Sequence, residues 1–440
     1  MMRQENRLKN LIASDPRAAR FWRHRDEPHY SFWTREYLTS PATIFTAIVA
    51  ILVLIGFIMV FSASSIANEM ARNDNLDAWT EFKSQLVFIV IATIIAAFLI
   101  HTHGTFWTSN TALLVLWIIL VAMLVACFAF KSINGAQRWI RLFGMSLQPS
   151  EFAKVLLILI CARLMGDWNN GLLSTKRLLV MTVIFVLIPF AIIAAQRDLG
   201  TLLIIALSLY CILILAEVRV SILIVLAVVA AALVIGLILS QSYRSSRIEM
   251  WLAPNLETYG LGQQIVHSEF AIASGGFWGV GLGNSTQKYA YLPEPHNDFI
   301  FAIIAEEFGF VGATFVILLF LGLGWCGYRM ARSLREYDLV SSFAVSGLVL
   351  CILWQTFVNI ASVTRLMPLT GRPLPFISAG GSSIMACMIM MGVIVAIMRD
   401  AEQSVIEGHI SSNKWRRPSL RVVEGGASQK TGRSPEFSSE

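Results

Sequence analysis

The chain has 440 residues, of which 56% are hydrophobic and 14% are charged, and its mean hydropathy is +0.66. Soluble domains carry roughly 25% charged residues, so this composition excludes an ordinary soluble enzyme. The net charge of +6 comes mostly from the two polar ends, which is typical of cytoplasmic segments beside anionic lipid and predicts no nucleic-acid partner.

Residues 1–42 are polar and rich in arginine, without a short apolar core and small-residue cleavage site. We therefore predict no cleavable signal peptide, but a partly disordered cytoplasmic tail followed by an uncleaved signal anchor. Residues 399–440 are rich in Ser, Gly and basic side chains. They cannot bury enough apolar surface to fold alone, which predicts a disordered cytoplasmic C-terminal tail.

Between the tails, 43–398, lie repeated apolar runs that are long enough to cross a bilayer as helices. The sequence predicts an all-α polytopic membrane protein with about ten spans, at 43–64, 84–101, 111–130, 151–165, 178–195, 200–216, 219–240, 299–328, 340–361 and 378–398. The positive-inside rule places both termini in the cytoplasm. All six cysteines lie in apolar runs, which indicates small buried side chains rather than disulfides.

The longest polar break is a predicted outer loop, 241–298, between spans seven and eight. Basic residues occur on this side of the membrane against the positive-inside rule. They stand in three outer segments beside glycines, prolines and aromatics, and suggest an anionic ligand: Lys131, Arg138, Arg141, Arg244, Arg247, Lys288, Arg365 and Arg372.

Asp298 stands where this loop becomes span eight. An aspartate at a helix start commonly caps backbone N–H groups, worth about 1 kcal/mol. It could equally serve as a general base at the membrane surface and accept a proton from a hydroxyl nucleophile. Spacing alone leaves both interpretations open.

Further carboxylates lie within or between apolar runs, where they are costly and usually paired or functional. Glu151 and Lys154 are three residues apart, so they share a helix face and are predicted to pair. Asp198 follows Gln196-Arg197 between two spans. Of Glu306 and Glu307, we expect one to neutralise a basic group structurally.

Two glycine-containing segments are weaker indications of a ligand-binding site. The stretch 279–284 lacks the strand–turn–helix unit of a dinucleotide site, so we reject that interpretation. The turn 371–383 offers backbone N–H groups suited to an anion, but close packing through small residues explains it as well. His267 and His296 have no companions at ligand spacing, so no histidine-based metal site is predicted.

Several motifs in this order resemble the SEDS family (shape, elongation, division and sporulation): NGAQRW, IRLFG, QPSEFAK, QRDLGT, GLGNSTQKYAYLPEPHNDFIFAIIAEEFG and PLPFISAGGSS. The resemblance spans about 43–398 and favours the division branch, FtsW, over the elongation branch, RodA. The family's essential aspartate falls on Asp298, its Glu–Lys pair on Glu151 and Lys154, and the aspartate of its QPDLG turn on Asp198. Arg197 replaces the usual proline.

The resemblance implies a peptidoglycan glycosyltransferase of the bacterial plasma membrane that polymerises lipid II into glycan strands at the division septum. It implies a class B penicillin-binding protein and other divisome membrane proteins as partners, no organic cofactor, and at most a divalent cation, Mg²⁺ or Mn²⁺. A lipid II flippase and a non-catalytic divisome scaffold are the alternatives. The predicted catalytic residue is Asp298, and the predicted substrate-binding residues are Arg138, Arg141, Glu151, Lys154, Asp198, Arg244, Arg247, Lys288, Glu294, His296 and Arg372.

Overall fold

A computed structural model describes residues 40–70, 80–130, 137–142, 145–239, 251–252, 261–288, 296–335 and 337–414. The chain divides at Ala401 into two compact units. The first contains the membrane body and every contact discussed below. The second, Glu402–Glu440, contains the end of the last helix.

A helix lies at each of the ten predicted spans. In chain order, with two helices in the fifth span and two further helices between spans, they are α1 Pro41–Met70, α2 Thr80–Ile100, α3 Gly104–Trp107, α4 Asn110–Ala126, α5 Pro149–Asn169, α6 Thr175–Thr182, α7 Ile188–Ala195, α8 Leu199–Leu215, α9 Val220–Leu239, α10 Leu261–Gly275, α11 Ile300–Leu334, α12 Leu339–Val363 and α13 Gly381–Lys414. The prediction of an all-α polytopic membrane protein is confirmed.

Within the described part of the chain, seven helical segments are long and apolar enough to cross a bilayer, and α8 and α9 are shorter apolar helices. Helix α5 differs because Glu151, Lys154, Arg163 and Asp167 interrupt its apolar surface. It is buried along most of its length and packs against α4, α8 and α12. The polar helix is therefore the centre of the fold, where its charges can find partners instead of lipid.

Several predicted boundaries were wrong by a few residues. Helix α1 continues past 64 to Met70, and α13 starts at Gly381 rather than at 378. The fifth span comprises α6 and α7, joined by a π-helical segment, Val183–Leu187. Pro189 follows that segment, and its missing N–H accounts for a local change of hydrogen bonding.

The structure contains two helices and two strands that the sequence analysis missed. The outer loop contains α10, which packs along α11 and buries Ile265, Ser268 and Ala271. Two antiparallel strands, β1 Ile140–Leu142 and β2 Met145–Leu147, pair Arg141 with Ser146 ahead of α5. Helix α3 is a single turn between α2 and α4. Helix α10 was missed because polar side chains interrupt its 15 residues, which therefore form no strong apolar run.

Helix α11 is interrupted at Gly309, where φ is 66° and ψ is −163°. The glycine-rich segment after α10 lies against this break. Val280 N and Gly281 N donate to the carbonyls of Glu306 and Glu307 at 3.0 Å, and Phe310 N donates to Gly276 O at 2.9 Å. A Cβ on Gly279 would lie 2.2 Å from Glu307 O, so only glycine permits this approach. The glycine stretch is thus a packing element.

Candidate active site

Asp298 lies in the turn 296–299 that precedes α11 and is half-buried. The helix N-cap is Phe299, whose side chain makes no capping bond, so the helix begins one residue later than the capping interpretation of Asp298 requires. Two main-chain carbonyls of this turn accept hydrogen bonds, one from a backbone N–H and one from a side-chain amide. Ala379 N donates to His296 O at 3.0 Å, and the Asn359 amide donates to Asp298 O at 2.9 Å.

The segment Thr370–Gly380, hereafter the strap, runs from α12 to α13 beside this turn. Most of it is buried. Its one serine is bonded within the strap, since Ser378 Oγ accepts from Leu374 N at 2.7 Å. Gly371 lies next to the candidate base, because a Cβ built on it would be 3.2 Å from Asp298 Oδ2. The strap therefore forms one wall of the site around Asp298.

Arg372 extends from the strap into a buried cluster of charges. Its Nη1 donates to Glu151 Oε1 at 3.1 Å, and its Nη2 donates to Asp198 Oδ1. Lys154 Nζ donates to Glu151 Oε2 at 2.7 Å, as the spacing predicted, and to Gln355 Oε1. The Glu151, Lys154 and Arg372 side chains are at most 3% exposed. The pairing satisfies charges that would be costly to bury alone.

Asp198 is the most heavily bonded carboxylate of the cluster. Its Oδ2 accepts from Ser150 Oγ at 2.7 Å, Gln148 Nε2 at 2.8 Å and Thr201 Oγ1 at 2.9 Å. Burial alone would raise the pKa of Asp198, but Arg372, Arg138 and the two hydroxyl donors outweigh it and lower the pKa to about 2. Asp198 is therefore a structural anion rather than a general base.

Arg138 gives this cluster a partly exposed cation. Its Nη1 lies 3.6 Å from Asp198 Oδ1, and its side chain is 33% exposed. Three cations thus surround two carboxylates at two helix starts, and Arg138 is the one that reaches toward solvent. Arg141 is exposed on β1.

The turn that carries Asp198 has a conformation that proline cannot adopt. Arg197 follows the end of α7 with φ at 63°. Its N–H donates to Ala194 O at 3.0 Å, and Asp198 N donates to Ile193 O at 3.4 Å. This is the Schellman pattern of a helix C-terminus. The proline usual in the family motif would have neither this φ nor this N–H, so the turn is built differently in this chain.

Lys288 belongs to a second buried cluster. Its Nζ donates to Glu307 Oε1 at 3.0 Å, to Ser62 Oγ at 3.2 Å and to Gly283 O at 2.7 Å. Glu306 accepts from Thr286 N at 2.8 Å and from Ser285 Oγ. As expected, one of the paired glutamates neutralises a basic group. The ammonium of Lys288 is fully buried, so it fixes the loop to α1 and α11 instead of facing a substrate.

Of the remaining predicted residues, His296 lies in the same turn as Asp298. Arg365 holds the outer segment, donating to Trp251 O at 3.2 Å and to Glu269 at 3.3 Å. Lys131, Arg244, Arg247 and Glu294 lie outside the described residues, so their predicted roles stay predictions.

Sequence analysis missed two residues of the site, Gln355 and Asn359 on α12. Gln355 Nε2 donates to Pro373 O at 2.9 Å and to Ser383 Oγ at 3.1 Å. Asn359 Nδ2 donates to Arg372 O at 2.7 Å as well as to Asp298 O. The sequence contains a signal that could have identified them, because two amides four residues apart inside an apolar run share one helix face.

The described residues contain no group of three or more His, Cys, Asp and Glu side chains that could hold a metal ion. Mg²⁺ needs no such cage, since it usually binds one or two carboxylates together with substrate phosphates. Asp298 fits that arrangement, because its carboxylate is half-buried at a turn. Glu151 and Asp198 are already engaged by cations of the protein.

The comparison with protein families decides the family. A family model described as "Cell cycle protein" (FtsW, RodA, SpoVE) matches residues 42–403. The chain belongs to this family. The resemblance inferred from its motifs is thereby confirmed, and the chain is a multi-pass membrane protein of the SEDS family.

Curated relatives match over most of their length. Stage V sporulation protein E of Bacillus subtilis is 36% identical over 363 residues, which cover 82% of this SEDS chain and 98% of the relative. The probable peptidoglycan glycosyltransferase FtsW of Trichlorobacter lovleyi is 34% identical over 357 residues, covering 80% and 92%. The protein of the same name from Mycobacterium tuberculosis is 34% identical over 397 residues, covering 89% and 73%.

Solved structures support the same fold. A chain from a structure described as "Structural coordination of polymerization and crosslinking by a peptidoglycan synthase complex" superposes with a TM-score of 0.65 at 24% identity, covering 81% of this chain and 97% of that one. The rod shape determining protein RodA of Thermus thermophilus gives a TM-score of 0.56 at 22% identity, covering 81% and 96%.

Proposed function

We propose that this SEDS protein is a peptidoglycan glycosyltransferase that polymerises lipid II into glycan strands, with Asp298 as general base. Glycosyl transfer is the activity named for the FtsW relatives at 34% identity. The observation that carries the residue assignment is the position of Asp298: a half-buried carboxylate in a turn fixed against the strap, beside a cluster whose cations include buried Arg372 and partly exposed Arg138.

The reaction follows from the chemistry of that site. The Asp298 carboxylate accepts the proton of the 4-hydroxyl of the acceptor GlcNAc. The resulting oxygen nucleophile attacks the anomeric carbon of the donor MurNAc, the glycosidic bond forms, and undecaprenyl diphosphate leaves with the bonding electrons. Proton transfer by a positioned carboxylate typically contributes on the order of 100- to 10,000-fold in rate. Fixing both sugars beside the base supplies a further part of the rate.

Negative charge develops on the leaving diphosphate. Arg138 is the cation suited to meet it, because its side chain is 33% exposed while its guanidinium stays 3.6 Å from Asp198. Arg141, Arg244 and Arg247 are further candidates for this contact. Electrostatic stabilisation of developing charge is usually a large part of catalysis. Asp298 would hold a divalent cation, which would supply further positive charge for the leaving group.

We place both termini in the cytoplasm, the site on the outer face of the plasma membrane, and the enzyme at the division septum. A class B penicillin-binding protein that crosslinks the glycan is the proposed partner. The solved complex that coordinates polymerization and crosslinking supports this pairing, since its chain shares the fold. The assignment of the septum rests on the FtsW relatives.

A lipid II flippase is the second candidate function. The buried charges of Glu151, Lys154, Asp198 and Arg372 would suit the polar centre of a transporter. They are, however, bonded to one another and to the strap, which favours a structural cluster beneath a fixed outer site.

The test is polymerisation of lipid II by the purified protein together with its penicillin-binding partner, whose transpeptidase is blocked. Asp298→Asn keeps the size of the side chain and removes the base. Asp338→Asn is the matched control, because Asp338 caps α12 by accepting from Val340 N at 3.0 Å and asparagine caps equally well.

We expect chains from wild type and Asp338→Asn, and a rate lower by on the order of 100-fold or more in Asp298→Asn with lipid II binding retained. Equal rates in all three proteins would rule out Asp298 as the base. Binding without chains in every protein would favour the flippase. Chelation with EDTA, followed by Mg²⁺ or Mn²⁺, tests the cation: an unchanged rate after chelation contradicts it.

A further inference from the structure

Asn359 lies near the end of α12 and is only 1% exposed. Its Nδ2 donates two hydrogen bonds, to Asp298 O at 2.9 Å and to Arg372 O at 2.7 Å. Both acceptors are backbone carbonyls of segments outside α12. An amide buried in a membrane helix is costly unless it is hydrogen-bonded, and here both of its protons join two loops.

The two loops that Asn359 joins carry the two halves of the site. One is the turn with the candidate base, and the other is the strap, from which Arg372 reaches Glu151 and Asp198. Gly371, beside Arg372, stands close enough that an added Cβ would be 3.2 Å from Asp298 Oδ2. The amide is therefore hydrogen-bonded to both of the segments that meet at the Asp298 carboxylate.

A second buried amide on the same helix, Gln355, makes different contacts. Gln355, one helical turn earlier, donates to Pro373 O and Ser383 Oγ and accepts from Lys154. Those contacts hold the strap to α5 and α13. They do not include the Asp298 turn, whereas the contacts of Asn359 do.

We propose that Asn359 is a positioning residue for the Asp298 carboxylate, fixing the turn that carries the base against the strap that carries Arg372. The inference rests on the proposed function, since it assigns Asn359 a part in the reaction of that site. A displacement of about 1 Å in a reacting group can cost on the order of 100-fold in rate. Loss of Asn359 should therefore lower kcat more than it changes substrate affinity.

The experiment compares wild type, Asn359→Ala and Thr356→Ala in the lipid II polymerisation assay with the penicillin-binding partner. Thr356 is the matched control, because it is buried on the same helix and its hydroxyl donates to Ile352 O of that helix at 2.9 Å. Measured are kcat and KM for lipid II, lipid II binding, and the melting temperature of each protein.

We expect Asn359→Ala to lower kcat at least tenfold while KM and lipid II binding stay within threefold of wild type, and Thr356→Ala to stay within twofold throughout. A kcat within twofold in Asn359→Ala, or a loss confined to melting temperature or binding, overturns the inference. If Asn359→Ala does not fold, Asn359→Ser takes its place; one hydroxyl proton cannot serve both carbonyls, so the same fall in kcat is expected.

The outcomes separate the two proposals. If wild type and Thr356→Ala polymerise lipid II and the Asn359 variant does so equally well, the positioning role is wrong and the proposed function stands. If wild type itself makes no chains while it binds lipid II, the proposed function is wrong, and the inference fails with it.

Discussion

Arg372 and Asp198 stand 174 residues apart in the chain and form an ion pair whose side chains are 3% and 0% exposed. The same guanidinium also contacts Glu151. One strap residue thus binds the first turn of α5 and the start of α8 together. Asp298 lies against the same strap, so the position of the candidate base depends on this pair.

Replacing Arg372 should therefore cost far more stability than replacing a surface arginine. Arg372→Met removes the cation that two buried carboxylates share and leaves them only Lys154 and the more distant Arg138. Removing one partner of a buried ion pair typically costs about 3–5 kcal/mol. Arg372→Lys should recover only part of the lost stability, since an ammonium cannot reproduce the planar guanidinium group that bonds both carboxylates. Thermal unfolding in detergent measures both. Arg335→Met is the control, because its salt bridge with Glu217 is exposed and worth about 0–1 kcal/mol; equal melting temperatures would contradict the prediction.

Stability should depend on pH through Asp198. Burial opposes its ionisation, but Arg372 and Arg138 lower its pKa from 3.8 to about 2. A depressed folded-state pKa stabilises the protein above the unfolded value, and this stabilisation is lost as pH falls through the folded value. The melting temperature of wild type should fall between about pH 4 and about pH 2, an effect of roughly 2 kcal/mol. Asp198→Asn should lack this component, so parallel curves for the two proteins would refute it.

Gly371→Ala should lower the polymerisation rate, because the added methyl group would crowd the Asp298 carboxylate. The added Cβ would lie 3.2 Å from Asp298 Oδ2, and φ is 63°. Gly171→Ala is a matched control, because φ there is 70° and a Cβ would meet nothing within 4 Å. Both variants carry the backbone cost of an L-residue in this conformation, roughly 1–2 kcal/mol. We expect at least a tenfold lower rate only in Gly371→Ala. Similar rates in both variants would show that contact with the Asp298 carboxylate does not affect polymerisation.

Arg197→Pro should destabilise the turn beside the charge cluster, although proline is usual at this position of the family motif. Proline fixes φ near −65°, whereas Arg197 has φ of 63° and donates its N–H to Ala194 O. Arg197→Gly should raise stability by up to about 1 kcal/mol, since glycine adopts positive φ without strain. Arg197→Ala keeps the backbone N–H and the positive φ, so its stability should lie between those of the glycine and proline variants. Melting temperatures in the order glycine, alanine, proline test this; a proline variant as stable as wild type would contradict it.

Much of the fold was predictable because a bilayer requires long apolar helices. The ten spans follow from apolar runs, and the pair Glu151–Lys154 follows from helical spacing. Helix α10 was not predictable in the same way: Gln263, Gln264, His267 and Glu269 interrupt its apolar positions. Its packing on α11 is a tertiary effect that overrides the local pattern.

The site was predictable as a set of residues but not as an arrangement. Motifs identified Asp298 and Asp198, and the positive-inside rule singled out Arg372, yet nothing local indicates that Arg372 binds Asp198 and Glu151. Lys288 was predicted to meet substrate because it is basic and outside, but its partner Glu307 lies 19 residues further on and both are buried. Contacts across the chain decide such cases, and a single sequence does not contain them.

The break at Gly309 divides α11 into unequal parts, a short one that begins two residues after Asp298 and a long one that continues to Leu334. The short part is hydrogen-bonded, through the carbonyls of Glu306 and Glu307, to the segment 276–281. Only a few residues of helix therefore separate that segment from the turn of Asp298. A displacement of the segment would reach Asp298 mainly through this short part of α11, because Gly309 interrupts the helix beyond it.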